Sequence, residues 1–458
     1  MLYTTSGLVS MVAASRDDMP TDVLPLIFEH ADRRDLHICA SLSRSFHRAA
    51  TPILYRRLDS RIDTRSQQSV VLHPSTTLLE KRDYARYVRH VRETSGVAFY
   101  TPGLLPGCRE ALNLCTNLVS FSWSDDSAGV KYDKVLLDYL DVLKGLNVQE
   151  LTIHTYLGFS EEVWSKLKEF TNLRKVALWC MEGPPRIMQG WSEKLGSSLT
   201  TLELGRCAGV PATILVSVLS YLPSLRSLRL KGASSSAILE ILSLLPNLTS
   251  LDTEYLGSGL LWCSDEPLAS LQELTVRTSS IDVQGPEHLW PWIRRLLPRP
   301  SLETFTLNSF STLGDAFIPR RFLLDLAAVH RSTLKSFTVS SVQLTINDAQ
   351  CICTLFPALE ILTLSIPLPP QPRQIEAAVA HAQQLRQLRL YTSWMPSRGM
   401  VGTGTSFGIE HARSLILPGK TLRVVGIGRV LYTGRWVIDA TNRLDFEVVC
   451  DVVRDSWA

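Results

Sequence analysis

The stretch Leu199-Thr200-Thr201-Leu202-Glu203-Leu204, answered by Leu225-Arg226-Ser227-Leu228-Arg229-Leu230, decides the architecture. Both copies place leucine at the first, fourth and sixth positions. The same spacing recurs outward in both directions. Toward the N-terminus come Leu173-Val176-Leu178, Val148-Leu151-Ile153 and Leu118-Phe121-Trp123. Toward the C-terminus come Leu248-Leu251 with Thr253 in third place, Leu271-Leu274-Val276, Leu302-Phe305-Leu307 and Leu334-Phe337-Val339, then Leu359-Leu362-Leu364, Leu385-Leu388-Leu390 and Leu422-Val425-Ile427. Successive copies start 23 to 37 residues apart, most often 25 or 26. Alternating apolar residues suit a short strand with one buried face. Apolar stripes at helical spacing lie between the copies. They are Leu136, Leu140 and Leu143; Val163, Leu167 and Phe170; Leu215, Val218, Leu219 and Leu222 behind a first-turn Pro211; Phe322, Leu323 and Leu326; and Cys351, Ile352 and Leu355 behind an Asn347 cap. One strand and one helix cannot bury their own apolar faces, but a stack of such pairs does.

This L-x-x-L-x-L core at a spacing near 25 resembles the leucine-rich repeat. The expected fold class is therefore α/β: an irregular solenoid with strands on its concave side and helices on its convex side. The family's usual motif carries Asn or Cys eight residues after the first leucine. Only Cys207 obeys, and Asp126, Met181, Ala233, Ser279 or Pro367 stand there in other copies, so irregular turns are expected. Residues flanking the fourth and sixth positions point to the concave face. They run from Glu150, His154, Lys175 and Glu203 through a neutral Ser/Thr strip between Thr304 and Ser365. Aromatic and arginine anchors and the charged rows make Trp179, Arg229, Lys231, Asp252, Glu254, Arg389, Tyr391 and Trp394 the expected contacts for a protein substrate. Pairing of Arg229/Lys231 with Asp252/Glu254 across strands is the alternative.

The segment Met19 to Leu58 has a different, helical period. Val23, Leu24, Ile27 and Phe28 form one apolar stripe, with Pro25 tolerable in a first turn. Asp32 or Asp35 is placed to cap a second helix bearing Leu36, Cys39 and Leu42, with Phe46 and Ala50 continuing its face. Forty residues of short helices need a partner for their apolar faces. Met19-Pro20, Leu24-Pro25-Leu26-Ile27-Phe28, Asp35-Leu36 and Leu42-Ser43-Arg44-Ser45-Phe46 follow one another as the motifs of an F-box do. The segment resembles that family, and Pro52-Ile53-Leu54-Tyr55-Arg56 resembles the ending common in its fungal members. The resemblance implies a substrate receptor of a Skp–cullin–F-box ubiquitin ligase, its F-box docked on a Skp-type adaptor and through it a cullin. Implied adaptor contacts are Pro20, Leu24, Ile27, Phe28, Leu36, Leu42 and Phe46. Two other readings stand beside this one: the helices merely cap the solenoid, or the chain is a repeat scaffold without a ubiquitin role.

The expected organisation is a tail at 1–15, the F-box at 16–60, a connecting or capping segment at 61–115, repeats at 116–430 and a C-terminal cap at 431–458. Lys plus Arg number 47 against 44 Asp plus Glu among 458 residues, too balanced for a nucleic-acid footprint. No apolar run is long enough for a membrane span, and no membrane partner is expected. Nine scattered cysteines point to a reducing compartment, cytoplasm or nucleus. Fragments that imitate chemistry fall short. Gly419-Lys420-Thr421 has Ser414 where a phosphate loop needs its first glycine, Gly402, Gly404 and Gly408 are misspaced, and Gly205-Arg206-Cys207-Ala208-Gly209 is read as a repeat turn. His37 with Cys39, and Cys351 with Cys353, lack a second pair at zinc spacing. The basic run Lys81, Arg82, Arg86, Arg89 and Arg92 reads as a solvated surface. No catalytic residue, cofactor or metal is expected.

Overall fold

An L-x-x-L-x-L segment buries its first, fourth and sixth side chains when the last three residues are extended and paired with a copy of themselves. All twelve triads behave this way, and none of their side chains is more than 5% exposed. The computed structural model describes residues 22–60, 73–125, 132–180, 188–257, 268–278, 288–309, 318–366, 370–392, 407–417, 420–438 and 443–452. Its chain divides into two compact units between Leu173 and Arg174.

The first unit opens with three helices, α1 (Leu24–Phe28), α2 (Arg33–Leu42) and α3 (Arg44–Leu54). Four parallel strands follow in chain order: β1 (Arg57–Asp59), β2 (His90–Thr94), β3 (Ser120–Ser124) and β4 (Glu150–Thr155). Helices α4 (Pro74–Glu80), α5 (Ser95–Tyr100), α6 (Leu105–Asn113), α7 (Asp133–Lys144) and α8 (Glu161–Leu167) stand between or after them. β2 extends the repeat one step before the first expected copy. Its triad is Val88, Val91 and Glu93, so a buried carboxylate occupies the sixth, normally apolar, position.

The second unit repeats the same step. Strands β5 (Lys175–Cys180), β6 (Thr201–Leu204), β7 (Ser227–Leu230), β8 (Ser250–Tyr255), β9 (Glu273–Thr278), β10 (Thr304–Ser309), β11 (Ser336–Gln343), β12 (Ile361–Ile366), β13 (Gln387–Thr392) and β14 (Val424–Ile427) pair in parallel and in chain order. Fourth-position residues align across them, from Leu202 and Leu228 through Phe305 and Phe337 to Leu388 and Val425. The expected irregularity surfaces in β11, whose register against β12 shifts between Thr338 and Gln343. Helices α9 (Ser192–Leu195), α10 (Ala212–Leu219), α11 (Ser235–Leu244), α12 (Leu289–Leu296), α13 (Arg320–His330), α14 (Ile346–Leu355), α15 (Pro372–Val379) and α16 (Ile409–Leu415) connect the strands. A final antiparallel hairpin, β15 (Val430–Ile438) and β16 (Leu444–Val452), closes on β14. Each unit is thus built of irregular leucine-rich-repeat steps, in the first behind a helical F-box-like start.

Two caps differ from expectation. Helix α14 is capped by Thr345, not Asn347, through a reciprocal pair of bonds with Asp348. That box satisfies two terminal donors where one asparagine would satisfy one. It also turns Cys353 into the core and leaves Cys351 half-buried. Pro211 stands just before α10 as its cap rather than inside its first turn.

Candidate functional site

Two surfaces carry the candidate residues: the outer face of the F-box helices and the strand face of the repeats. In the first, Asp32 starts α2 by accepting from the Arg34 and Asp35 backbone N–H groups at 2.8 and 2.9 Å. The expected continuous second helix is broken at Ser43, whose extended backbone and side chain, accepting from Phe46 N–H, begin α3. Leu24, Phe28, Leu36, Ala49 and Ala50 form the module's own core, with Phe46, Cys39 and Ile53 packed against it. Phe28 and Phe46 meet edge to face at 5.5 Å. α3 also leans on the repeats of its unit, with His47 Nε2 3.3 Å from the Tyr84 hydroxyl and the Tyr55 ring 4.8 Å from Tyr84.

The expected adaptor residues therefore separate into two sets. Leu24, Phe28 and Leu36 are buried inside the module, and Phe46 is half-buried against them. Ile27 and Leu42 are exposed, and they share that exposure with Val23, Leu26 and Ile38. Ile38 and Leu42, at 59% and 61% exposure, lie four residues apart on one side of α2. Pro20, with Met19, lies outside the described residues. The inward stripe was legible in the sequence; Leu26 and Ile38 were missed because they lie off it, and their being apolar at all was the available signal.

On the strand face of the second unit, five residues of adjacent strands alternate in sign. Lys175 pairs with Glu203 at 3.1 Å, Arg229 with Glu203 at 3.7 Å and with Asp252 at 3.1 Å, and Arg277 with Asp252. Burial pushes the Asp252 carboxyl up, opposed by the lowering from Arg277 and Arg229. The Arg229 guanidinium also stacks 4.6 Å from the centre of the Trp179 ring. That ring lies directly over Gly205, the residue after β6, where any side chain would collide with the indole. Trp179, Arg229 and Asp252 are thus committed to one another. Lys231 is exposed and Glu254 buried. Next comes the neutral strip, where Ser340 donates to Asn308 Oδ1 at 2.7 Å. Beyond it Tyr391 is half-buried, and the Arg389 Nε has no hydrogen-bond partner. Trp394 lies outside the described residues.

Of the imitation motifs, the one around Cys207 lies wholly within the described residues. Cys207 is buried and burial pushes its thiol up to about 12, an unreactive state. Gly402, Gly404 and Gly419 lie outside the described residues. Arg82 pairs with Glu110, Arg92 with Asp59, and Arg89 donates to backbone carbonyls, so the basic run is largely engaged. Among the described residues no group of His, Cys, Asp and Glu could hold a metal ion, and no helix is long and apolar enough to cross a membrane.

Comparison with known proteins follows these two regions. Residues 17–61 match the F-box-like family, and the chain carries this domain at its N-terminus. A crystal structure of the Rad7–Elc1 complex from yeast is similar at 13% identity, covering 84% of this chain and 92% of that one with a TM-score of 0.47. The leucine-rich-repeat protein LegL7 of Legionella pneumophila is similar at 14% identity, covering 71% of this chain and 97% of that one with a TM-score of 0.37. No curated protein matches the chain in sequence.

Proposed function

We propose that this chain is a non-catalytic substrate receptor of a Skp–cullin–F-box ubiquitin ligase. Its F-box binds a Skp-type adaptor, through it a cullin, and its repeats hold a protein substrate in the cytoplasm or nucleus. The observation that carries the reading is the outer face of the domain matched at 17–61: Val23, Leu26, Ile27, Ile38 and Leu42 stand exposed although the module already has its own core. Apolar side chains grouped on so small a module favour burial against a partner. The residues proposed as adaptor contacts are Leu26, Ile27, Ile38 and Leu42. Leu24, Phe28, Leu36 and Phe46 support that face from beneath.

For the substrate, Lys231, Arg389 and Tyr391 are the proposed contacts, because Trp179, Arg229 and Asp252 already satisfy one another. Each exposed aliphatic contributes about 1.5–3 kcal/mol when a partner buries it, so Ile38→Asp with Leu42→Asp weakens adaptor binding about a hundredfold or more. The test is purification of the tagged full chain, wild type against double variant, with the adaptor and cullin read by mass spectrometry. Wild type is expected to carry both and the variant neither, with unchanged circular dichroism. A wild-type chain that brings down no adaptor would leave the repeat-scaffold reading in its place.

A further inference from the structure

The strand face of the second unit carries two arginines in one row, and their surroundings differ. Alternate residues of a strand share a face, and paired residues of adjacent strands form rows across it. Glu203, Arg229 and Asp252 are partners in one such row, on β6, β7 and β8. Arg229 therefore stands between two carboxylates, at 3.7 and 3.1 Å, with its guanidinium 4.6 Å from the Trp179 ring centre. From Asp252 the row continues through Thr275, Thr306, Thr338 and Thr363 to Arg389 on β13. The partners of Arg389 are Thr363 on one side and Gly426 on the other.

No carboxylate answers Arg389 in that row. Asp252 is five strands away, about 24 Å at the usual strand spacing, and is already held by Arg229 and Arg277. In the other direction the row passes Gly426 and Leu431 to Asp451, three strands and about 14 Å away along the backbone layer. Both separations exceed the screening length of about 8 Å at physiological salt. The same-face residues before and after it on β13, Gln387 and Tyr391, are uncharged. The Arg389 stem lies against Gly426, where a methyl group would come within 3.3 Å of Cγ. Arg389 is half-buried, and its Nε is covered and without a hydrogen-bond partner. The edge left to a ligand is the terminal pair of Nη groups. Partial burial of the charge strengthens its pull on an opposite one.

We propose, on the reading of the repeats as the substrate-holding part, that Arg389 anchors one carboxylate, the side chain of an Asp or Glu in the bound protein. That group takes the place that Glu203 and Asp252 hold beside Arg229. The two Nη groups present parallel N–H bonds that match the two oxygens of a carboxylate. Charge count favours a carboxylate over a phosphate: one cation balances one negative charge, whereas a phosphorylated side chain brings about −1.5 to −2. The Ser/Thr rows around Arg389 offer hydroxyls and no counter-ion, so the residues flanking that acid in the bound segment are uncharged.

The test pans a random dodecapeptide library, displayed on phage, against the purified full chain, wild type and Arg389→Ala. Peptides held by the wild type and released by the variant are expected to share an Asp or Glu at one position. In a synthetic copy, Gln or Asn in place of that acid is expected to weaken binding about tenfold on the wild type and to change nothing on Arg389→Ala. A library without Arg389-dependent acidic peptides, or a loss that persists on the variant, overturns the proposal. Phosphoserine at that position binding more tightly than the acid overturns the carboxylate in favour of a phosphate. Arg389→Gln, which keeps most of the stem, is expected to behave as Arg389→Ala does, with circular dichroism unchanged in both. Adaptor capture by the same chains is read separately and is expected to be equal. Arg389-dependent acidic peptides on a chain that captures no adaptor would sink the receptor reading and leave this site standing. Adaptor capture without such peptides would sink this site alone.

Discussion

Helices α2 and α11 are both ten residues long, and they meet solvent in opposite ways. α11 lies between α10 and α12 and buries Ser235, Ala237, Ile238, Leu239, Ile241 and Leu242. α2 packs on α3, buries Leu36 alone, and presents Ile38 and Leu42 to water. Helix α11 has a neighbour on either flank and a strand layer beneath, so most of its apolar side chains are consumed by the fold. Helix α2 packs chiefly on α3, and what that one contact does not consume stays exposed. Apolar content alone does not distinguish these cases; the number of packed sides does.

The largest test of that contrast is truncation of one isoleucine in each helix. Ile241→Ala is expected to lower the stability of the second unit by about 3 kcal/mol, a transfer loss plus a cavity. Ile38→Ala is expected to leave stability within about 0.5 kcal/mol. Denaturant unfolding followed by circular dichroism reads both, and equal losses would erase the distinction.

A second test probes the repeat of β2, whose sixth triad position is the buried Glu93. Burial would lower the His73 pKa, but its hydrogen bonds with Cys108 and Glu93 and the Glu93 charge outweigh that and raise it from 6.5 to about 9. A group raised in the folded state stabilises fully below its unfolded value, and the contribution is lost as pH climbs through the folded one. Between pH 7 and pH 10 the first unit is expected to lose about 2.5 kcal/mol from this group. The apolar interiors of the repeats from β5 onward carry no such group in their triads, so the loss belongs to the first unit. Unfolding at both pH values checks it, and a pH-independent first unit would remove the His73–Glu93 pair from its stability.

The smallest effect concerns the start of α2. Asp32→Ala removes the acceptor for two backbone N–H groups and is expected to cost about 1 kcal/mol, confined to the F-box helices. Amide exchange of residues in α2 measures it, and unchanged protection there would mean that α3 alone holds the helix.

The sequence pattern led directly to the twelve triads because a side chain every second residue, repeated near every 25, has one economical three-dimensional solution. It missed the Val88-Val91-Glu93 copy for a physical reason: a carboxylate there is tolerated only with Ser60 and His73 alongside, and neither is near in sequence. The F-box reading located two helices but not the break at Ser43 that makes them three, and it counted Leu24, Phe28 and Leu36 as adaptor contacts where the fold buries them in the module. The strongest stripe on a short helix is claimed first by its neighbours, so the outward residues were the weaker apolar positions. On the strand face, cross-strand pairing was legible for Arg229 with Asp252, whereas Trp179 reads as a free anchor because a linear pattern cannot reveal that Gly205 opens a seat for the indole.

The hairpin of β15 and β16 has a consequence for how such a molecule remains a single molecule. A stack of parallel strands is a one-dimensional crystal of its own repeat, and its last strand offers an unfilled lattice row to any passing copy. By doubling back antiparallel on β14, β15 occupies that row with a strand that breaks the translation. Gly434 fixes the fold-back, since a side chain there would strike Ile416 and Phe446. Even an alanine methyl at this point would force Ile416 and Phe446 to shift, loosening the packing that holds the terminating strand in its row.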